Sequence, residues 1–309
     1  MATNKISIIA GGTMKKALLF ITLTILIVPR LHAAQSVVTE AEGYSCMGDD
    51  KSRKETEQIA VKDAKRQATE SAVTYIQSET HVKDSILEKD LMSAYTNAQV
   101  KVIQELDKKW YKEEGLGDCY RVKLKVEVVP DEKAIAALAK GKQDIMENDP
   151  AAPLSVKVWT DRKEYKKGEK IKIYLKGNKP FYGRVVYKDA GSNLVQLLPN
   201  PYRENNYFNG GSIYELPSGD DRYDLEVSPP FGRDEITVYA STAPQGKLEV
   251  EAAGAVFDVK TSLADIPIST RGIKLTAKGS GAGSGKSAAE FFETGVELRT
   301  AEKGPLRSE

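Results

Sequence analysis

Histidine and cysteine are the scarcest reactive residues of this 309-residue chain, with two of each. Metal sites built from several His and Cys, a Cys–His dyad and a Ser-His-Asp triad all draw on residues it barely has. An excess of one charge is missing too: 45 Lys and Arg stand against 44 Asp and Glu, a formal net charge of +1. Without a basic patch there is no electrostatic footprint for nucleic acid. Apolar residues at 40 % and charged residues at 29 % describe a globular chain, neither collagen-like nor disordered. Long apolar runs are absent except for one of 12 residues, 17–28.

That run carries no charge, follows Lys15 and Lys16, and precedes Pro29-Arg30-Leu31-His32-Ala33-Ala34. A basic start, a short apolar stretch and a small residue at the cut predict a secretory signal peptide over 1–33, cleaved after Ala33. Spanning a bilayer takes about 20 apolar residues. Membrane attachment is therefore expected only through an uncleaved signal anchor, if at all. No Cys stands in the segment 29–34 just after the run, which argues against lipoprotein processing. Met14-Lys15-Lys16 is itself a typical opening, so translation starts at Met1 or Met14. Cleavage would remove Lys5, Lys15, Lys16, Arg30 and His32 and no acid, leaving a mildly acidic chain with His81 as its one histidine. The expected location is periplasmic or secreted, where nucleotide is scarce; neither a nucleotide nor any other cofactor is expected.

Cys46 and Cys119 lie 73 positions apart, and in an oxidising compartment an even pair reads as one disulfide. Closing such a loop would stabilise the fold by roughly 4 kcal/mol. Two buried thiols are the alternative.

Residues 36–146 predict a first domain. A strand at Val37–Tyr44 leads to a helix over about 53–78, with Asp49-Asp50 as its expected cap. Ala60, Ala64, Ala68, Ala72 and Ile76 recur every four residues, a stripe that suits close packing rather than a groove. Tyr120–Val128 alternates apolar and charged residues without a fault and predicts a half-buried strand. Residues 99–112 fit either element, and the turn Glu113–Asp118 favours a hairpin. The pattern is β-α-(short α)-β-β, a helix on a small antiparallel sheet, followed by a helix over Asp131–Lys142 and a linker at 147–153.

The extended segment ending Ala41-Glu42-Gly43, the Ala64-Lys65-Arg66-Gln67-Ala68 helix and the Tyr120-Arg121-Val122-Lys123-Leu124 strand resemble the N-terminal module of flagellar assembly protein T and related envelope lipoproteins. That resemblance implies an exported, non-enzymatic module attached to larger envelope machinery.

Over 154–300, Gly and Pro punctuate short strands, the pattern of an all-β sandwich, with a tail at 301–309. Expected strands are Leu154–Thr160, Lys170–Leu175, Gly183–Lys188, Leu194–Leu198, Ser212–Glu215, Tyr223–Ser228, Glu235–Ala240 and Val256–Val259, with Asp189–Asn193 a hairpin turn. The fold class is thus α+β, a helix-on-sheet domain followed by a sandwich. Tyr165…Gly168-Glu169, Tyr182…Tyr187…Gly191, Gln196-Leu197-Leu198-Pro199-Asn200, Gly210-Gly211, Pro229-Pro230-Phe231-Gly232 and Arg271-Gly272 occur in a telling order. They resemble a bacterial domain of unknown function with a Leu-Phe-Pro-Asn signature, in which Leu198 here replaces Phe. The resemblance implies an appended module of exported proteins and of kinase- or peptidase-type chains, and brings no catalytic residues.

Three local patterns need weighing. Gly281–Ser287 looks like a phosphate-binding loop between an expected strand (Ile273–Ala277) and helix (Ala288–Glu293), but Ser280 stands where that loop needs Gly. A flexible hairpin tip is the better reading. Asp220, Asp221 and Asp224 form an acidic turn without the spacing of a calcium loop, and no metal is expected. Nine of the 14 Tyr lie between 165 and 239. Tyr182, Tyr202, Tyr207 and Tyr214, with Phe208 and Asn200, surround the Pro-Asn loop and form a candidate binding face for an envelope protein or glycan. Packing within the sandwich is the alternative. The chain reads as a non-catalytic envelope binding or assembly protein. The alternative is a glycan-directed hydrolase using paired carboxylates, with Asp220, Asp221 and Glu251 as candidates.

Overall fold

The computed structural model describes residues 34–79, 85–254, 256–271 and 288–302. The signal-peptide segment, His81, the expected strand Ile273–Ala277 and the Gly281–Ser287 loop lie outside them. The fold is mixed, 22 % helix and 45 % strand, with a helix-bearing first half and a largely antiparallel β second half.

β1 (Ala34–Cys46) leads to α1 (Arg53–Glu79), α2 (Ser85–Thr96), β2 (Gln99–Glu113), β3 (Gly117–Val129) and α3 (Glu132–Asn148). β3 pairs antiparallel with β1 on one side and β2 on the other, so residues 99–112 form a hairpin strand. The alternation of β3 sends Tyr120, Val122, Leu124, Val126 and Val128 under α1, whose alanine stripe is completely buried. The closeness of this contact depends on Gly43: a Cβ there would lie 2.1 Å from Ala60 O and 2.3 Å from Ala64 N. The expected cap is corrected. Asp49 and Asp50 lie in a turn, and Ser52 caps α1: Glu55 N donates to Ser52 Oγ (3.2 Å), and Ser52 N donates back to Glu55 Oε2 (2.8 Å). This is a reciprocal capping box, two orphan donors satisfied at once. At the far end of β1, Cys46 pairs in register with Cys119 and the two form a disulfide.

α3 begins under an Asp131 cap, with Ala134 N donating to Asp131 Oδ1 (2.8 Å), and runs on to Asn148, beyond its expected end. The connection that follows is clamped by the buried Asn178, whose Nδ2 donates to the carbonyls of Asp149, Ala152 and Pro153 while its Oδ1 accepts Ser155 N.

The second half contributes β4 (Val156–Thr160), β5 (Glu164–Lys166), β6 (Ile173–Gly177), β7 (Phe181–Lys188), β8 (Leu194–Leu198), β9 (Tyr207–Phe208), β10 (Ile213–Leu216), β11 (Arg233–Ser241), β12 (Val250–Ala253), β13 (Val256–Val259), α4 (Ile266–Arg271) and β14 (Ala288–Ala301). A three-stranded sheet, β10-β6-β4, faces a larger one in the order β12-β13-β8-β7-β11-β14-β1-β3-β2. Between the two layers lies a core of Leu154, Tyr165, Ile173, Leu175, Phe181, Leu198, Phe208 and Ile236, all buried.

Two expectations are overturned here. Ala288–Glu293 is strand, not helix: β14 pairs with β11 on one side and β1 on the other, so its backbone groups are consumed by neighbours on both edges. Tyr223–Ser228 is not a ladder strand. It makes one isolated bridge, Lys170 with Glu226, and Ile171 N donates to Leu225 O.

β14 carries one sheet from the second half into the first. Glu290, buried on it, holds this seam: its carboxylate accepts Lys179 Nζ (3.0 Å) and the Leu154 amide. On the opposite face Arg271 of α4 pairs with Glu127 of β3 (2.6 Å) and Glu293 of β14 (3.7 Å). The buried Arg184 donates to Thr270 Oγ1 (3.1 Å) and Gly246 O (2.7 Å), and burial lowers its pKa to about 10.

Candidate interaction surface

The loop after β8 is organised by Asn200. Its Nδ2 donates to Leu197 O (2.7 Å), and its Oδ1 accepts the amides of Tyr202 and Arg203, both at 2.8 Å. A side-chain amide with donor and acceptor ends can close a turn this way in place of backbone partners. Asn200 is only 1 % exposed, so it builds the loop and is not presented by it. Phe208 is likewise 0 % exposed: on β9 it faces inward, stacked on Phe181 at 5.0 Å and edge-on to Tyr214 at 4.9 Å. These two members of the candidate face are corrected to supporting roles. Alternation along a strand pair explains it, because Phe181 and Phe208 occupy one register pair and Tyr182 and Tyr207 the next, on the other side. Room for the stack comes from Gly183, where a Cβ would approach Phe208 to 2.9 Å.

The outward members remain. Tyr202 is 55 % exposed and Tyr207 44 %. Tyr207 meets Tyr182 edge-on at 5.1 Å, and Tyr202 stacks on Tyr223 at 6.3 Å. Tyr182 is half-buried, and so is Tyr214, whose hydroxyl accepts Asn209 N (2.9 Å). Arg203 stiffens the base, its guanidinium 5.7 Å from the Phe208 ring centre and 3.0 Å from Asp221.

That ion pair bears on the acidic turn. Asp221 is shared between Arg203 and the Ser218 amide, Asp224 is bound by Lys170 (2.7 Å), and Asp220 is exposed. Glu251 sits on β12, paired with Lys260 (3.0 Å). Of the carboxylates considered for hydrolysis, Asp221 and Glu251 are paired with different cations on different elements, and Asp220 is exposed beside Asp221. Cys46 and Cys119 belong to β1 and β3, on the other half of the molecule.

The remaining landmark residues of the second half also have structural work. Gly168 takes a φ of +79°, and Glu169 Oε2 closes its turn by accepting Lys166 N (2.7 Å). Tyr165 donates to Asp161 Oδ1 (2.6 Å), and burial raises its pKa to about 12. Tyr187 donates to the buried Asp234 (2.8 Å), joining two stretches of sequence that gave no sign of meeting; burial raises the Asp234 carboxyl.

Comparison with curated proteins and with solved structures gave no match. The resemblance of residues 36–146 to flagellar assembly protein T is not supported by these comparisons. In the second half, residues 164–244 match the family described as Domain of unknown function (DUF4384), a stretch that holds the Asn200 loop and its tyrosines.

Proposed function

We propose that this chain is an exported, non-catalytic binding or assembly protein of the cell envelope. Its helix-on-sheet half docks on envelope machinery. Its second half contacts a protein or glycan partner through Tyr182, Tyr202 and Tyr207. The observation that carries this reading is the pair of exposed phenols on a base already ordered by Asn200, Arg203 and the Phe181–Phe208 stack. A tyrosine offers a broad apolar face and one polar tip, and a pre-ordered base reduces the entropy lost on contact. The Cys46–Cys119 disulfide supports a periplasmic or secreted location, since such bonds persist in oxidising compartments. Among the described residues no helix is long and apolar enough to cross a membrane.

Affinity purification from crosslinked envelope fractions tests it. The parent chain is expected to retain a partner that the Tyr202→Ala, Tyr207→Ala double variant loses, with the unfolding midpoint unchanged. Equal capture by both would refute the surface.

A further inference from the structure

The small sheet β10-β6-β4 covers the core with one face and leaves the other open. Alternation sends Val156, Val158, Ile173, Leu175 and Leu216 inward. The outward positions stand in rows set by the strand registers. One row is Ile213–Lys176–Lys157, and the next is Glu215–Tyr174–Trp159. Ile213 is 63 % exposed and Lys157 is exposed, while the Trp159 and Tyr174 rings are half-buried and stacked at 5.6 Å.

Two features of these rows are left unused by the fold or work against it. Lys157 and Lys176 stand directly opposite each other, an arrangement that destabilises a strand pair. Their charges are poorly answered: Lys176 Nζ donates to the neutral Asn148 Oδ1 (2.7 Å), and Lys157 stays 3.8 Å from Glu147. Lys172, by contrast, is held by Glu215 at 2.5 Å. The polar tips of the two rings are unused as well. Neither the Trp159 indole N–H nor the Tyr174 hydroxyl has a hydrogen-bond partner among the described residues. Trp110 and Tyr187 do, donating to Glu57 (3.2 Å) and Asp234 (2.8 Å).

We propose that this face binds a glycan chain bearing carboxylates, its sugar rings against Trp159 and Tyr174 and a carboxylate between Lys157 and Lys176. An anion there would relieve the opposed lysines, and sugar hydroxyls would take up the indole N–H and the phenol. The face is a ladder of three strands, which suits an extended chain lying across it. A lipid surface calls for an excess of basic residues, whereas Glu147 and Glu215 stand among these lysines. The site lies on β4, β6 and β10 and does not depend on Tyr182, Tyr202 and Tyr207.

Calorimetry and amide-shift mapping on the full chain would compare trigalacturonate with its methyl ester, which keeps the sugar rings and removes the charge. The acid is expected to bind about fivefold more tightly, the worth of two exposed charge contacts. It should shift the Trp159 indole N–H resonance and leave that of Trp110 in place. Lys157→Gln with Lys176→Gln, two surface changes that spare the core, is expected to erase the preference and leave binding of the ester as it was. Trp159→Ala is expected to weaken both ligands alike, about fivefold. Tyr202→Ala with Tyr207→Ala should bind both as the parent does. Equal binding of acid and ester, no binding, or an unmoved Trp159 resonance would overturn the proposal. So would a preference that survives the lysine changes or is lost with the tyrosines. Sedimentation with phosphatidylglycerol vesicles in place of trigalacturonate binding would assign the face to a lipid surface and overturn it too.

Discussion

The two halves of the molecule pack by opposite means. In the first, α1 rests on β1 and β3 through alanines, and Gly43 admits the helix backbone almost to the strand. In the second, the layers are held apart by Phe181, Phe208, Tyr165 and branched aliphatic side chains. Small side chains remove little apolar surface from water, so the thin interface gains less per residue than the thick one. The difference teaches where each half is vulnerable. The thin half cannot accept added atoms, and its end is tied covalently by Cys46–Cys119; the thick half depends on volume and fails through cavities. Tyr202 and Tyr207 lie in and beside the loop after β8, on the second half. Loops presented by a deeply cored scaffold can be spared for contact.

The sharpest way to break this comparison is to remove the covalent tie. Cys46→Ser with Cys119→Ser is expected to cost about 4 kcal/mol, measured by urea denaturation. A loss below about 1 kcal/mol would mean that alanine packing alone holds α1 in place. Next comes Gly43→Ala, with an expected cost of about 1–3 kcal/mol, because the added methyl meets backbone that cannot move aside. Gly219→Ala in the second half, where nothing lies within 4 Å of the added atom, should stay within about 0.5 kcal/mol. Equal effects of these two glycine changes would remove the claim of a close helix–sheet contact.

Much of the thin half was legible because its signals are local. The β3 alternation, the four-residue alanine repeat and the even cysteine pair each report one element or one bond. The capping box at Ser52 and Glu55 was equally local, but the neighbouring Asp49 and Asp50 are just as good cap formers by type. The misread elements depend on distant partners. Ala288–Glu293 is rich in helix formers, yet the open edges of β1 and β11 take it as strand, and tertiary pairing outweighs propensity of a few tenths of a kcal/mol per residue. Tyr223–Ser228 alternates like a strand, but two prolines end it at 229 and 230 and its bonds go to the 168–171 turn. At the candidate surface, residue type drew attention to the loop after β8 without saying which rings point outward. Only the register of β7 with β9 separates Tyr207 from Phe208.

The smallest expected effect lies at the seam where the two halves share a sheet. Glu293 on β14 sits opposite Tyr239 and beside Arg271, with Glu127 and Glu235 near enough to oppose its charge. Burial raises its pKa above the usual 4.5, and those two acids add to the rise against the opposing pull of Arg271. A carboxyl that binds its proton more tightly when folded favours folding most below 4.5, and this contribution is lost as pH rises through the raised value. Glu293→Gln removes the titration, while Arg271 keeps its nearer partner Glu127 at 2.6 Å. The variant should therefore gain stability relative to the parent as pH is taken from 4 to 7, followed by thermal unfolding at each pH. A relative stability that stays flat or falls over that range would show that the seam is held by the Arg271–Glu293 attraction. In that case the join between the halves would be electrostatic rather than carried by the paired strands β14 and β1.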